Sequence, residues 1–317
     1  MLAAIKEKIQ QLRNPAVLSA RIYAQDRRLG RKYGVRMTLG HDRKYWSVRR
    51  DRREIRVALE HTVYLEDIAR YFDDFHGSVV VRTADDVDIA DFSYPQWHIV
   101  PGLQKEFFFT SLPESLPADE SLVQILRIKE GDVVVDAGAY CGLTTYLFAR
   151  AAGASGIVIA VEADPRNYQA LLSNLKRHAA TNVVPINAAL WKQSGTLKFA
   201  AEGNMGSAAS EVGSRKTSEV EVRAVTLDEI FSQAGVARID HVKMDIEGAE
   251  YEVLLASHNF IRKHRPDFVV EVHREGTGPI NVDKLRMFFV SEGYEMRHTP
   301  QAGDDVYYFH PTEAASH

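Results

Sequence analysis

Residues 132–142 have the sequence Asp-Val-Val-Val-Asp-Ala-Gly-Ala-Tyr-Cys-Gly, a short apolar run that leads into a turn with two glycines. The run predicts a strand over 132–136, and the pattern after it predicts a helix over 142–152. Glycine allows a tight turn and a close approach of a ligand to the backbone, and a helix start offers free N–H groups. Because ligands in open α/β sheets bind at the carboxyl ends of the strands, this turn is a predicted ligand site.

The alternation of strand and helix continues towards the C-terminus. Further strands are predicted over 156–162, 182–187, 241–245 and 267–272, and helices over 165–178, 227–234, 249–258 and 282–293. Apolar strands that alternate with helices indicate a mostly parallel sheet covered on both faces. Two last strands, 294–298 and 305–309, are joined by a tight connection, which indicates one antiparallel edge strand. Leu197–Ala200 and Val220–Val225 are a predicted inserted pair.

Glu162 ends the second strand, 20 residues after Gly142 (162 − 142). A carboxylate at that place can accept hydrogen bonds from ribose hydroxyls, which predicts a nucleoside cofactor. Tyr140 then separates two cofactor classes, because a dinucleotide fingerprint needs a second glycine there so that the backbone can touch the pyrophosphate. S-adenosylmethionine has no pyrophosphate. The sequence therefore favours an S-adenosylmethionine-dependent methyltransferase over an NAD-type enzyme.

The predicted fold is the α/β fold of class I methyltransferases, a doubly wound, mostly parallel seven-stranded sheet with one antiparallel edge strand, preceded by a smaller N-terminal α+β region. The predicted domains are 1–115, for substrate recognition or oligomerisation, and 116–317, for S-adenosylmethionine binding. Within the first, the sequence predicts a helix over 2–12, hairpins around 40–42 and 85–86, a helix over 62–75, and an ordered connecting segment over 94–113.

Charge is unevenly distributed along the chain. Arg21 to Arg56 holds 13 Lys or Arg and 4 Asp or Glu, a charge of +9. The net charge of the chain is −4, so the residues outside this stretch have a summed charge of −13. A basic stretch of this kind is compatible with binding of nucleic acid, a membrane surface or phosphate. The alternative is that these residues form the solvated face of a small sheet.

Acidic residues and a histidine end the fourth and fifth predicted strands of the sheet. Asp245, in Lys-Met-Asp-Ile-Glu-Gly-Ala-Glu over 243–250, should point into the crevice beside the cofactor. Alternation along the strand places Glu271 and His273 on one side. The presence of Glu247 and Glu250 could also be explained without chemistry, since acidic residues are favoured at a helix N-terminus. For His273 the alternative is a role in capping or packing alone.

Several motifs follow one another in a fixed order: Asp-Ala-Gly-Ala-x-x-Gly from Asp136, Val-Glu-Ala-Asp-Pro from Val161, Asn-Ala-Ala-Leu from Asn187, Val-Thr-Leu-Asp from Val225, the 243–250 motif, Arg265-Pro266 and Glu-Val-His from Glu271. In these motifs the chain resembles the FkbM-type methyltransferase family, from about Val133 to Gly293. The resemblance implies an S-adenosylmethionine-dependent O-methyltransferase acting on a hydroxyl of a sugar, glycan or polyketide-type natural product.

The resemblance also assigns roles by position. Asp136, Gly138 and Gly142 would hold the methionine part of the cofactor, Glu162 the ribose, and Asn187 and Ala188 would border the adenine. The full predicted cofactor set is Asp136, Ala137, Gly138, Tyr140, Gly142, Glu162, Ala163, Asp164, Asn187, Ala188 and Asp245. Tyr140 departs from the family, which often has Asn there, and could reshape the methionine pocket or touch the substrate.

Transfer of a methyl group to a hydroxyl calls for a general base or a metal. The predicted catalytic residues are Asp245, Glu247, Glu271 and His273, with His273 or Asp245 as the base. A metal-dependent reaction would use Asp245 and Glu271 to hold Mg²⁺ or another hard cation, and a third alternative is orientation of the acceptor alone.

The amino-acid composition limits the classes of protein to which the chain can belong. Hydrophobic residues make up 45% and charged residues 26%, as in soluble globular proteins. The sequence predicts neither a signal peptide nor a membrane-spanning helix. The single cysteine, Cys141, excludes an internal disulfide and fits a cytoplasmic protein. The expected partner is a small-molecule or glycan acceptor. The sequence does not decide whether the chain forms a homo-oligomer. A nucleic-acid methyltransferase and a non-catalytic binding module are the alternatives; the first usually carries Asn/Asp-Pro-Pro-aromatic, which is missing here.

Overall fold

The computed structural model describes residues 27–42, 44–201, 203–204, 206–209, 219–273 and 282–312. The chain divides into two compact units. The first contains the described residues up to Glu106 together with Ser111–Pro113, and the second contains Phe107–Thr110 and the described residues from Glu114 onwards. The predicted helix over 2–12 lies outside the described residues. Within the described part of the chain, every helix is too short or too polar to cross a lipid bilayer.

The first unit is built on a five-stranded sheet with the strand order β1-β2-β3-β5-β4. Its elements are β1 (Arg36–Leu39), β2 (Tyr45–Arg50), β3 (Arg53–Ala58), a 3-10 helix (Leu59–Tyr64), α1 (Leu65–Arg70), α2 (Phe72–Gly77), β4 (Arg82–Ala84), β5 (Val87–Phe92) and β6 (Gln96–Val100); β7 (Lys105–Phe109) leads into the second unit. Both predicted hairpins are confirmed, since β1 pairs antiparallel with β2 and β4 with β5.

The single helix predicted over 62–75 is wrong. The segment is a 3-10 helix followed by two α-helices, and the break between these two lies at Tyr71, whose backbone leaves the helical region (φ −105°, ψ 36°). Burial explains the break. Ile68 on α1 and Phe72 on α2 are both completely buried, and the change of direction lets both short helices turn an apolar side inwards.

Arginines of the basic stretch form ion pairs inside the first unit. Arg49 and Arg56 contact Glu54, which is 1% exposed. Arg50 and Arg53 contact Asp73, at 3.0 and 2.6 Å. Further pairs join Arg28 and Lys32 to Glu66, Arg52 to Asp86 and Arg82 to Asp91. Part of the positive charge of the basic stretch is thus balanced by Glu54 within it and by Glu66, Asp73 and Asp86, which come later in the sequence.

The second unit is built on a seven-stranded sheet with helices on both sides. Its elements are α3 (Leu116–Leu126), β8 (Val133–Ala137), α4 (Leu143–Ala152), β9 (Ile157–Glu162), α5 (Pro165–Arg177), β10 (Val183–Asn187), β11 (Ala189–Leu190), β12 (Gly195–Ala200), β13 (Ala208–Ala209), β14 (Glu219–Val225), α6 (Leu227–Ala234), β15 (His241–Met244), α7 (Glu250–Ala256), α8 (His258–His264), β16 (Asp267–Glu271), α9 (Val282–Ser291), β17 (Tyr294–His298) and β18 (Val306–Pro311). The predicted strands and helices are present, apart from small shifts at their ends.

The strand order is β10-β9-β8-β15-β16-β18-β17, and β18 is the antiparallel member. This is the predicted doubly wound, mostly parallel sheet. The antiparallel strand lies one position in from the edge, and not at the edge as predicted. The reason is that β17 and β18 form a hairpin whose second strand pairs with β16, which leaves the first strand outermost.

Alternate residues of β8 pack on opposite faces of the sheet. Val133 and Val135 belong to the larger apolar core, and Val134 to a second core on the other side. This arrangement accounts for the uninterrupted apolar run in the sequence. The predicted inserted pair is confirmed, because β12 and β14 pair antiparallel within a four-stranded sheet that also includes β11 and β13.

Candidate active site

The turn after β8 can hold only glycine at its centre. Gly138 has φ +79°, and a Cβ there would lie 1.8 Å from the backbone oxygen of Asp245. The backbone N–H groups of Gly138 and Ala139 both donate to the Val161 oxygen, at 3.0 Å. The turn is thereby held between the ends of β9 and β15, so that the predicted residues of three strands meet at one edge of the sheet.

A cleft of about 690 Å³, open solvent at its mouth included, lies beside this turn. Gly138 and Tyr140 line it, together with an apolar group made of Val161, Ala163, Ala188, Leu190, Trp191 and Phe199. Polar side chains complete the lining, among them Glu162, Asn167, Asp245 and Glu247. An apolar wall with a few polar groups is the usual character of a small-molecule site.

Glu162 lies in this cleft with its carboxylate fixed by the backbone. One oxygen accepts from the Tyr140 N–H at 2.9 Å and the other from the Asp164 N–H at 2.8 Å. Burial raises the pKa of Glu162 to about 8, against these two hydrogen bonds. Each oxygen has a further lone pair that a ribose hydroxyl could use.

The other residues predicted after β9 and β10 divide into lining and supporting groups. Ala163 and Ala188 line the cleft. Asn187 donates its side-chain amide to the backbone oxygen of Glu162 at 2.8 Å. Asp164 caps α5 and also accepts from the Gly203 N–H and the Ser207 hydroxyl. It thereby holds the loop that brings Ser207 to the cleft.

Asp136 and Ala137 lie behind the turn, completely buried, and outside the lining of the cleft. The Asp136 carboxylate accepts from the Thr145 hydroxyl at 2.5 Å and lies 3.5 Å from the Lys243 ammonium. Gly142 begins α4, where a Cβ would meet the Leu171 side chain at 2.4 Å. Asp136, Ala137 and Gly142 therefore support the turn and do not line the cleft.

Lys243 had no predicted role and lies at the centre of this support. Its side chain is 7% exposed, and its ammonium donates to the Gly138 oxygen at 2.8 Å. Burial alone would lower the pKa of Lys243, but the carboxylates of Asp245 and Asp136 raise it above the usual value. The available signal was a lysine between two apolar residues, Val242 and Met244, near the end of a predicted buried strand.

His273 stands among four carboxylates. Its Nδ1 donates to Glu250 Oε1 at 2.9 Å. Its Nε2 lies 3.7 Å from Asp245 and from Glu271 and 3.9 Å from Glu247. The structure thus brings together the four residues predicted for catalysis, and adds Glu250, which fixes the ring. We call Asp245, Glu247, Glu250, Glu271 and His273 the acid–histidine cluster.

Burial and mutual repulsion set the protonation of this cluster. Burial alone would lower the pKa of His273, but the carboxylates of Glu247, Glu250 and Asp245 raise it well above the usual value. Burial raises the pKa of Glu247 to about 7, and the Asp245 carboxylate does the same for Glu271. His273 is therefore a cation at neutral pH, and Glu247 and Glu271, each with a pKa of about 7, titrate near neutral pH.

Asp245, Glu247 and His273 could hold a metal ion, because they offer ligand atoms within 4.8 Å of one another. The cluster differs from the predicted metal pair of Asp245 and Glu271. Glu247 and His273 take part in place of Glu271. Glu247 lines the cleft and has a strained backbone conformation, with φ +55°.

Tyr140 and Cys141 are both buried in the turn. Tyr140 lines the cleft, and its hydroxyl accepts from the Thr110 hydroxyl at 3.3 Å. Burial raises the pKa of the Tyr140 phenol and of the Cys141 thiol well above their usual values, so both stay neutral. Cys141 is completely buried and so has the character of an inert packing residue.

A family model of the methyltransferase FkbM domain matches residues 136–296. Hexuronic acid methyltransferase AglP of Haloferax volcanii is 27% identical over 199 residues, which are 59% of this chain and 77% of that protein. Among solved structures, methyltransferase FkbM of Methylobacillus flagellatus KT has a TM-score of 0.43 at 16% identity, over 78% of this chain. The chain spans 60% of the length of that structure.

A second solved structure is Aeropyrum pernix fibrillarin with natively bound S-adenosyl-L-methionine. It has a TM-score of 0.39 at 16% identity, over 61% of this chain and 75% of its own. The family match covers the glycine turn, Glu162 and every member of the acid–histidine cluster. The resemblance noted in the sequence is thereby confirmed: the chain belongs to the FkbM methyltransferase family and is an S-adenosylmethionine-dependent methyltransferase with the class I fold.

Proposed function

We propose that this methyltransferase acts on a hydroxyl group of a sugar, glycan or similar polyhydroxylated acceptor. The observation that carries the proposal is the acid–histidine cluster at the ends of β15 and β16, which borders the cofactor cleft through Asp245 and Glu247. A hydroxyl is a poor nucleophile until its proton is being removed. The Haloferax volcanii relative, named as a hexuronic acid methyltransferase, supports a sugar-type acceptor.

The cleft suits the cofactor. Glu162 presents a fixed carboxylate to the ribose, while Trp191, Phe199 and Leu190 offer an apolar wall to the adenine. S-adenosylmethionine supplies an activated methyl group on a sulfonium. Asp245 presents a carboxylate at the edge of the cleft, which favours a cationic ligand there.

We assign proton removal to Glu247 and an orienting role to His273. A base must be unprotonated when it acts, and the raised pKa of His273 keeps that ring protonated near pH 7. Glu247 lines the cleft and has a pKa of about 7, close to the value that suits a general base at neutral pH. The imidazolium then holds the carboxylates of Glu247 and Asp245 in place.

The charge of the cluster favours a hydroxyl over a carboxylate as the acceptor group. Asp245 and Glu247 line the cleft, and Glu271 lies 3.7 Å from the Nε2 of His273 beside them. We place the acceptor next to these carboxylates, which would repel a second anion. A neutral hydroxyl can instead donate to them. A uronic acid acceptor would on this view be methylated on a hydroxyl.

We propose that the first unit contributes acceptor recognition or a subunit contact. Its arginines pair with Glu54, Asp73 and Asp86, which gives the basic stretch a structural function. This pairing supports a small acceptor over a nucleic acid, since cations committed to ion pairs are less available to phosphates.

Transfer of labelled methyl from S-adenosylmethionine to glucuronic acid, glucose and random-sequence RNA tests the proposal. We expect label on a sugar and none on RNA. A uronic acid could be methylated on its carboxylate, which gives a methyl ester, or on a hydroxyl, which gives a methyl ether. Mild alkali distinguishes the two products because it hydrolyses the ester and leaves the ether intact. Label on RNA alone, or label that alkali removes completely, contradicts the proposal.

A further inference from the structure

A second cavity adjoins the cofactor cleft and shares Glu114 and Asp245 with it. One side of this cavity is formed by α3, the helix that the sequence patterns did not predict. Asp119 on α3 lines the cavity and is 7% exposed. Neither Glu114 nor Asp119 belongs to a motif of the family, and the proposed reaction gives them no role.

Both acids present an unsatisfied oxygen. Glu114 Oε2 and Asp119 Oδ2 are shielded from solvent and have no hydrogen-bond partner in the described part of the chain. The second oxygen of Glu114 accepts from the Thr144 hydroxyl at 3.3 Å. A buried polar atom without a partner costs free energy in the folded state, and a native protein usually pairs such an atom with a ligand or water.

The chemistry of this pair fits a cationic ligand. Burial and then the Asp119 carboxylate raise the pKa of Glu114 well above the usual value, so the apo site disfavours the anion. The nearby Lys243 ammonium is already committed to the Gly138 oxygen and lies 3.5 Å from both Asp136 and Asp245. A cationic ligand in the second cavity would supply the positive charge that stabilises the Glu114 carboxylate.

S-adenosylmethionine carries such a charge in the α-ammonium of its methionine part. Asp136, the acid expected to hold that part, is completely buried behind the turn and does not line the cleft. Glu114 does line the cleft, together with Gly138 and Tyr140 of the turn. It is thus the acid placed to meet the amino-acid end of the cofactor.

We propose that Glu114 binds the α-ammonium of S-adenosylmethionine, with Asp119 as the neighbouring acid of the same subsite. Pairing with the ammonium favours the ionised form of Glu114, which releases a proton when the cofactor binds. The inference depends on the cofactor and not on the identity of the acceptor, so its test is a binding measurement that stands apart from methyl transfer.

Calorimetry with two ligands and the variant Glu114→Gln tests the proposal. S-adenosylhomocysteine has the ammonium, whereas 5′-methylthioadenosine lacks the amino-acid end. The variant keeps the size of the side chain and removes its charge. We expect the affinity for S-adenosylhomocysteine to fall about tenfold or more and that for 5′-methylthioadenosine to change by less than about twofold. Equal losses for both ligands, or no loss for either, overturn the assignment.

Glu252→Gln is the matched control, since this glutamate is 43% exposed and pairs with Lys192 outside both cavities. It should leave both affinities unchanged. A second measurement needs no variant: the wild-type chain should bind S-adenosylhomocysteine about tenfold or more tightly than its deaminated analogue, and should release a proton only with the former. Similar affinities for the two ligands overturn the assignment even if Glu114→Gln fails to fold.

Discussion

His273 Nδ1 lies 2.9 Å from Glu250 Oε1, and the same oxygen accepts from the N–H groups of Ile246 and Gly248. Glu250 is 3% exposed. One carboxylate oxygen therefore joins the loop after β15 to His273, which lies two residues past the end of β16. Through this contact, the ring orientation of His273 depends on the fold of the 243–250 motif, and the second ring nitrogen is directed at Asp245, Glu247 and Glu271.

Gly138→Ala should destabilise the fold and weaken cofactor binding. The new Cβ would lie 1.8 Å from the Asp245 oxygen, so the turn and β15 would have to separate. Gly235→Ala is a matched control, because Gly235 has a similar φ of +64° but nothing within 4 Å of its Cβ position. The control should cost about 1–2 kcal/mol in urea unfolding from backbone strain alone. Gly138→Ala should cost more than the control, and equal losses would mean that the close approach to Asp245 can relax.

Glu162→Ala should reduce the affinity for S-adenosylmethionine by about 1–3 kcal/mol, because ribose hydroxyls would lose their acceptor in a buried site. The same change leaves the Tyr140 and Asp164 N–H groups without the carboxylate that now accepts from them. Calorimetry should therefore be combined with a thermal unfolding curve. An unchanged affinity in a folded variant would remove Glu162 from the cofactor site.

The sheet could be predicted from the sequence because strands such as Val133–Ala137 are buried on both faces and carry an unmistakable apolar run. The helix α3 could not, because its sequence Leu-Pro-Ala-Asp-Glu-Ser-Leu-Val-Gln-Ile-Leu has few apolar residues in its first turns. Those turns face the second cavity, where Asp119 is buried as a polar group. In an amino-acid sequence, a polar residue that is buried in a ligand cavity cannot be distinguished from a polar residue that faces solvent.

The strand ends were predictable as a group, because the sequence places Asp245, Glu271 and His273 at the ends of the fourth and fifth strands, and these strands, β15 and β16, are neighbours in the sheet. The protonation of His273 was not. An isolated histidine titrates near neutral pH, which favours a base, but its charge here depends on three-dimensional distances to four carboxylates. The role of Asp136 depends in the same way on its cross-strand neighbour Lys243.

A chelator should leave turnover unchanged. The raised pKa of His273 keeps its ring protonated at neutral pH, and a protonated Nε2 has no lone pair for a divalent cation, so the possible metal group of Asp245, Glu247 and His273 would lack one of its three ligands. Turnover should be measured with and without EDTA, and Mn²⁺ binding should be followed separately by its spin-resonance signal. Loss of activity with EDTA and recovery with Mg²⁺ would establish the metal alternative and reverse the assignment of Glu247 as the base.

Glu247→Gln should lower kcat about a hundredfold or more while leaving the affinity for S-adenosylmethionine nearly unchanged, because the amide cannot accept the acceptor proton. The wild-type rate should rise with pH through about 7, as Glu247 loses its proton. The rate should fall again only well above the usual pKa of histidine, when His273 loses the charge that orients its neighbours.

His273→Gln separates the orienting role from the base role. The amide can replace the hydrogen bond to Glu250 but carries no charge, so the pKa of Glu247 should rise and the ascending limb of the pH–rate profile should move to higher pH. Turnover at pH 7 should fall, and the rate should partly recover at higher pH. If His273 is instead the base, the variant loses about a hundredfold or more at every pH and the rising limb near pH 7 disappears. Glu252→Gln, outside the cluster, should reproduce the wild-type profile.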